Sequence, residues 1–403
     1  MKRPISDRFR REAIIVFLLT VIALFLITTI LWDGVYMAFS PDGKLYISIA
    51  DNFVETGHFI QTARSEEIGF VVPFGMPIIL TILRLLGAGD AVIVIFHYIL
   101  IGATFVLLYR AEKNTYGAGG FAPCVLLLAL YFTGVAPRNI YVEHYYMFWL
   151  SLLLCLVTEK EMKTGKRLFW MNFAAFWAFV TRPVLSVVYA AVLIYTVIRT
   201  VKKDIPWRRM ILAFLIPAVI LTANAAVNYR ECGHWVWLEN YSARDVCYAN
   251  NSISGFDWGL SKEEARDEEM QRIFELPDLD TSEKSALYKQ HAMECIRNDF
   301  GRFLKNTVIK GYRLFIGQWK LTLLLAVVGA IGLMRQFPDK KRQTACMLAL
   351  GAVEAVISSM GVLIFRYSYF IWLTGALHIA ALGHCGLWWL RSLRTKKNVG
   401  APE

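Results

Sequence analysis

Four short runs carry the side chains best suited to chemistry. In Ser40-Pro41-Asp42-Gly43-Lys44-Leu45-Tyr46, Ser40 is placed to cap a helix, Pro41 to take its first position and Asp42 to sit beside the positive helix end. That carboxylate has a plain structural use at a helix start. Held at a membrane surface, it could also take a proton from a sugar or other hydroxyl nucleophile. A second run brings Arg138, Glu143 and His144 together, with Tyr141, Tyr145 and Tyr146 reading equally well as an interfacial aromatic belt. In Arg182-Pro183 the proline starts a helix and keeps Arg182 extended, where a cation could hold a phosphate or simply snorkel to the interface. Arg366 sits in Arg366-Tyr367-Ser368-Tyr369, and Glu354 lies inside an apolar stretch where it requires a partner or a cavity.

The elements that must position these groups are membrane helices. Of 403 residues, 56% are hydrophobic and only 19% charged, where soluble domains carry about a quarter; the mean hydropathy of +0.44 agrees. Ala13–Leu31, Ala91–Tyr109, Met210–Val227 and Ile371–Leu390 each suffice to cross a bilayer, at roughly 20 residues per span. The first has no small-residue cleavage site after it and reads as a retained anchor. The net charge of +11 is not a nucleic-acid signal, because the basic residues form short blocks between apolar stretches: Lys2–Arg11, Lys160–Arg167, Lys202–Arg209, Arg335–Arg342 and Arg391–Lys397. The seven cysteines show no metal-ligand spacing. Cys124, Cys155, Cys346 and Cys385 read as packing residues, while Cys232 and Cys247 share one polar loop with Cys295 and could pair there if it is extracytoplasmic.

Placing the basic blocks inside threads the chain. The stretch Phe70–Leu86 contains Pro73, Pro77 and Arg84; an arginine near mid-span costs about 3 kcal/mol, so this stretch is expected to lie on or dip into the outer face. Further spans are expected at 91–109, 119–135, 143–158, 168–181, 183–200, 210–227, 319–334, 344–364 and 369–390, about ten with the first. The fold expected is an all-α membrane protein, a multi-helix transmembrane bundle with two larger extracytoplasmic segments and both termini cytoplasmic. The bundle core is 1–227, with its first outer loop at 33–90; 228–318 forms the second outer segment and 319–403 the last helices and a basic tail. A helix from Pro41 should end near Thr56 at Gly57. Another, from Asp299 to Phe315, should be amphipathic, with Phe300, Leu304, Val308 and Tyr312 on a face suited to the lipid interface.

This threading collects Asp42, Arg138, Glu143, His144, Arg182 and Arg366 on the outer face. Carboxylates with scattered arginines there suit attack on a lipid-phosphate-linked sugar, the carboxylate taking the acceptor proton and the cations stabilising the departing phosphate. The sequence also resembles GT-C-type glycosyltransferases, in the branch of protein O-mannosyltransferases and the bacterial enzymes that add aminoarabinose to lipid A. The resemblance rests on Pro41-Asp42-Gly43-Lys44-Leu45-Tyr46 through Ala50, Gly57-His58-Phe59, Pro73-Phe74-Gly75-Met76-Pro77, Glu143, Thr181-Arg182-Pro183, Asn228-Tyr229-Arg230, Gly233-His234-Trp235 and Arg366-Tyr367. It covers the first 240 or so residues well and the remainder loosely.

The resemblance implies a GT-C fold in a bacterial cell membrane and a polyprenyl-phosphate-linked sugar as donor. The acceptor would be a glycan, lipid or protein, and transfer would invert the anomeric centre. Asp42 then matches the family base and Glu143 a second acidic site residue; Arg182, Arg138 and Arg366 would contact the donor phosphate, with Lys44, Tyr46 and His144 beside it. Where many relatives carry a second acidic residue, this chain has Gly43, so neither a catalytic divalent metal nor another cofactor is expected. Two other readings fit an outer-face membrane protein. A polysaccharide polymerase or ligase would use lipid-diphosphate-linked glycans. A lipid or solute transporter would show internal repeats and paired broken helices, neither of which the sequence displays.

Overall fold

The computed structural model describes residues 7–31, 41–62, 69–133, 141–159, 161–253 and 264–312, with positions 376, 379, 380, 383, 384 and 387. Among them every regular element is a helix: α1 Asp7–Leu31, α2 Pro41–Thr56, α3 Gly75–Leu85, α4 Asp90–Tyr116, α5 Phe121–Thr133, α6 Val142–Thr158, α7 Thr164–Thr181, a 3₁₀ turn Pro183–Leu185, α8 Ser186–Val201 and α9 Trp207–Cys232. Beyond these come α10 Ser242–Asn250, α11 Glu268–Glu275, α12 Thr281–Asn298 and α13 Phe300–Tyr312. The protein is an all-α membrane protein. Among the described residues, α4, the Pro183–Val201 stretch and α9 are long and apolar enough to cross a bilayer. On α9, Ile211, Leu212, Phe214, Leu215, Ile216 and Val219 are all exposed, the kind of surface hydrocarbon accepts.

The centre of the bundle is α4, α6 and α7, which pack through Phe105, Leu108, Leu150, Leu154, Ala174 and Ala178. Small residues set the spacing. A Cβ on Gly102 would lie 2.6 Å from the Phe17 ring, so α1 crosses α4 closely there. The buried Asn172 amide donates to Leu168 O at 2.8 Å and to the Thr196 hydroxyl at 2.9 Å, joining α7 to α8.

Charges are sorted to the two ends. At one end Lys113 pairs with Glu12, Arg110 with Glu159 at 2.7 Å, and Arg199 with Asp204 at 2.8 Å. Glu112 is completely buried there, yet its carboxylate accepts the backbone N–H groups of Gly120, Phe121 and Ala122 and lies 2.8 Å from His384 Nε2. That last contact places His384 against α4, and Gly383 lies against Phe121 of α5. The expected spans 319–334 and 344–364, with Glu354, lie outside the described residues.

At the opposite end, α3 is 11 residues long, about 16 Å against a hydrocarbon core of about 30 Å. It does not span. Arg84 reaches Asp51 of α2 at 2.7 Å and Asp90 of α4 at 2.6 Å, so the stretch read as lying at a membrane face is held there by ion pairs. α2 stops where expected, with Gly57 at φ +76°. Boundaries differ in two places: α4 continues past 109 to Tyr116, capped by Gly117 at φ +81°. α9 continues past 227 to Cys232 and is capped by Gly233 at φ +75°. Asn228, Tyr229 and Arg230 are therefore helical, because the left-handed glycine, not the loss of apolar residues, terminates the helix.

The segment after α9 builds a small core of its own from Cys247, Tyr248, Met270, Ile273, Tyr288 and Ala292. Asp280 and Glu283 start α12 with a reciprocal capping box. Cys232 and Cys247 are both free thiols: Cys232 donates to Asn228 O at 3.0 Å, while Cys247 is enclosed in this core. Helix α13 has the two faces expected of it. Arg302 donates to Ser252 O and Asn251 O, and buried Lys310 to Ala249 O, whereas Phe300, Leu304 and Val308 are exposed.

The tightest junction between the short end helices and the bundle is Gly75 of α3 against Thr181 of α7. A Cβ on Gly75 would fall 2.8 Å from the Thr181 backbone nitrogen and 2.9 Å from its Cα. Gly75→Ala should therefore lower stability by about 1–3 kcal/mol, seen as an earlier thermal transition of the detergent-solubilised protein. Adding Thr181→Ala should not restore it, since the obstruction is backbone; full rescue by the double variant would show that only the threonine hydroxyl matters.

Candidate active site

Three helix ends meet opposite the basic blocks. α2 begins with Asp42 in its first turn, near the positive helix end. Tyr46 follows one turn later on the same face and is buried, while Lys44 is exposed. Tyr46 belongs to an apolar cluster with Phe70, Val72, Met76, Ile93, Val142 and Tyr145. The cluster joins α2, the approach to α3, the start of α4 and the start of α6. Glu143 and His144 lie between its last two members in the first turn of α6, both buried.

Arg182 comes from the third helix end. It follows α7 in extended conformation, φ −140° and ψ 103°, as the next proline requires. Its backbone N–H still donates to Ala178 O at 2.9 Å, so the residue is anchored to the helix it leaves. The Gly75–Thr181 contact places this end of α7 against the start of α3.

Tyr241 ties these ends together. It stacks on Phe70 with ring centroids 5.0 Å apart. Desolvation raises its phenol well above the ordinary value; Tyr46 and Glu239 add to the rise and Arg182 opposes it. Tyr46 and Arg182, far apart in sequence, thus act on one hydroxyl. The structure brings the α2 start, Tyr46, Glu143, His144 and Arg182 to one end of the bundle. Arg138 and Arg366 lie outside the described residues. A carboxylate at a helix start and an extended arginine at the same end of a bundle are groups that can accept a proton and hold an anion.

Two participants escape a reading of the sequence. His97 of α4 is completely buried about 10 Å along the helix from Asp90. Its Nδ1–H donates to Ile93 O at 2.8 Å, which leaves Nε2 as an acceptor, without a partner among the described residues. Its ring meets those of His144 at 5.8 Å and Tyr145 at 5.1 Å. A histidine inside an apolar span was the available signal. Tyr241 gave none, since its role arises only from packing.

A cleft of about 440 Å³ opens beside Tyr241, lined by Arg244, Arg266, Lys284, Phe274 and Tyr288 among others. Asn240 fixes its position. The Asn240 side chain accepts from Val71 N at 2.9 Å and donates to Gly69 O at 2.7 Å and Ser282 Oγ at 2.8 Å. One amide so joins the approach to α3 to the start of α12.

Residues 71–222 match the family model described as dolichyl-phosphate-mannose-protein mannosyltransferase. The match lies within the part of the chain that carries the resemblance read from the sequence. It runs from the approach to α3 through most of α9 and includes Glu143, His144 and Arg182; Asp42 precedes it. No curated protein and no solved structure matches the chain.

Asn240→Ala should free the outer segment from the bundle end, because it strips partners from two backbone groups and a serine at about 1–3 kcal/mol for each group left buried. Hydrogen exchange should rise at 69–72 and 281–285 while α4 and α7 stay protected. Unchanged exchange at both sites would show that the joint lies elsewhere.

Proposed function

We propose that this membrane glycosyltransferase moves a single sugar from a polyprenyl-phosphate donor to an extracytoplasmic acceptor, with inversion at the anomeric carbon. The observation that carries the reading is the meeting of the α2 start, the α6 start and the α7 end at the bundle end opposite the basic blocks, with the family match running through the latter two. By the charge rule the basic blocks are cytoplasmic, so the site faces the non-cytoplasmic side of the cell membrane.

In this mechanism the acceptor hydroxyl gives its proton to the Asp42 carboxylate as its oxygen attacks the anomeric carbon. The bond from that carbon to the phosphate oxygen breaks, and the electron pair leaves with the lipid phosphate. Arg182 meets the growing negative charge, joined by Arg138 and Arg366. Glu143 orients hydroxyl groups of the substrates, and Lys44, Tyr46 and His144 flank the donor. One carboxylate followed by Gly43 suffices for proton transfer, so the step runs without a catalytic metal ion. The acceptor, whether glycan, lipid or protein, meets the enzyme at the segment after α9, where the cleft beside Tyr241 offers cations and aromatic faces.

Asp42→Asn should insert and fold normally while transfer falls by about 10²–10⁴-fold, the usual worth of a general base. Arg182→Ala should cost about 10²–10³-fold, mainly in kcat. Membranes carrying each variant, supplied with a polyprenyl-phosphate sugar, give the comparison through the product formed. Wild-type transfer by Asp42→Asn would remove that residue from the mechanism, and addition of whole chains in place of one sugar would favour a polymerase. A cysteine at position 42 should react only with reagents applied from the non-cytoplasmic side.

A further inference from the structure

The segment after α9 contains a side-chain cluster that transfer chemistry does not use. We propose that Asp267, His291 and Cys295 form a structural site for one divalent transition-metal ion of the zinc class. The three are mixed donors, one carboxylate, one imidazole and one thiol, the set that such an ion prefers over calcium or magnesium. His291 and Cys295 stand four residues apart on α12 and so share one helix face. Asp267 faces them from the start of α11.

The distances suit capture of an ion. Asp267 Oδ2 lies 2.8 Å from His291 Nε2, Cys295 Sγ lies 3.8 Å from the same nitrogen, and one donor atom from each residue falls within 4.8 Å of the others. A tetrahedral zinc-class ion holds its donors about 3.5 Å apart. The carboxylate and imidazole would open slightly. Cys295 Sγ, now beside the ring and 3.9 Å from Nδ1, would turn about its χ1 bond towards Nε2. The thiol gives up its proton on binding, and the ion takes the place of the proton now shared by His291 and Asp267.

The shell around the cluster is already built. Asp267 is buried and accepts from Ser252 N, Ser252 Oγ and Met270 N at 2.8, 2.6 and 2.9 Å, which fixes its carboxylate. Cys247 is enclosed in the same small core as the residues that flank the cluster. An ion here would fasten the start of α11 to α12. Those helices form the walls of the cleft beside Tyr241.

The test uses the full chain purified in detergent without chelator. Elemental analysis should find about one zinc-class ion per chain. Cobalt(II) exchanged into the site should give a thiolate-to-cobalt charge-transfer band. Cys295→Ser and His291→Ala should reduce bound metal about tenfold or more and abolish the band. Asp267→Asn keeps a helix-capping side chain, so it should retain the fold and still lose metal. Asp42→Asn should bind metal as the wild type does, which separates this site from the transfer reaction. Folded wild-type protein without bound metal or a cobalt band would overturn the proposal. So would metal content indifferent to all three substitutions, or a Cys247–Cys295 disulfide in the native chain.

Discussion

A charge left unpaired in hydrocarbon costs several kcal/mol, and that penalty arranges this molecule. Apolar side chains cover α9 and the outer face of α1, while the ion pairs gather at the two ends of the bundle. Glu112 shows how a carboxylate survives burial. It accepts three backbone N–H groups from the turn into α5, so its charge caps the next helix while it is lost to water. Arg84 shows the other solution. An arginine in an apolar stretch can be kept if the helix is too short to span and two carboxylates wait at its end.

The same penalty decides where chemistry can be done. A carboxylate, a cation and a sugar phosphate can meet only where water or a dense polar network replaces lipid. The end formed by α2, α3, the α6 start and the α7 end carries Asp42, Glu143, His144 and Arg182. Its precision depends on close backbone approach. Gly75 lets α3 touch Thr181, and the next residue is Arg182. A larger residue at position 75 would move the arginine's own anchor, so a glycine with no chemistry of its own sets the geometry of the cation.

Much of this was legible in the sequence wherever the cause was local. The α2 stop at Gly57, the extended Arg182 before proline, the non-spanning α3 and the two faces of α13 follow from short-range rules on backbone conformation, charge and periodicity. The α9 end was misjudged because hydropathy falls before the helix does: Asn228, Tyr229 and Arg230 continue it to the glycine that stops it. Tyr241 and Asn240 were not legible as site elements, since their roles come from residues about 170 positions earlier in the chain. The pairing considered for Cys232 and Cys247 shows the same limit. Sequence proximity in one loop says nothing of the fact that one thiol caps a helix end and the other sits in a separate core.

The match to the mannosyltransferase family ends within α9, before the segment that carries α10–α13. That boundary fits a physical division of labour. On the proposed reading the donor presents an anionic phosphate beside a long apolar chain, so the helices proposed to receive it would be constrained by the bilayer. On the same reading acceptors differ in shape and charge, and the segment proposed to meet them would answer to no such constraint. It needs only to be folded and held at the right place. The small core of α10–α12 supplies the first requirement, and the amide of Asn240 with the stacked ring of Tyr241 supplies the second. Tyr241 answers electrostatically to both Tyr46 and Arg182, so the outer segment and the bundle end meet around these side chains, and a shift of the outer segment would be felt there first.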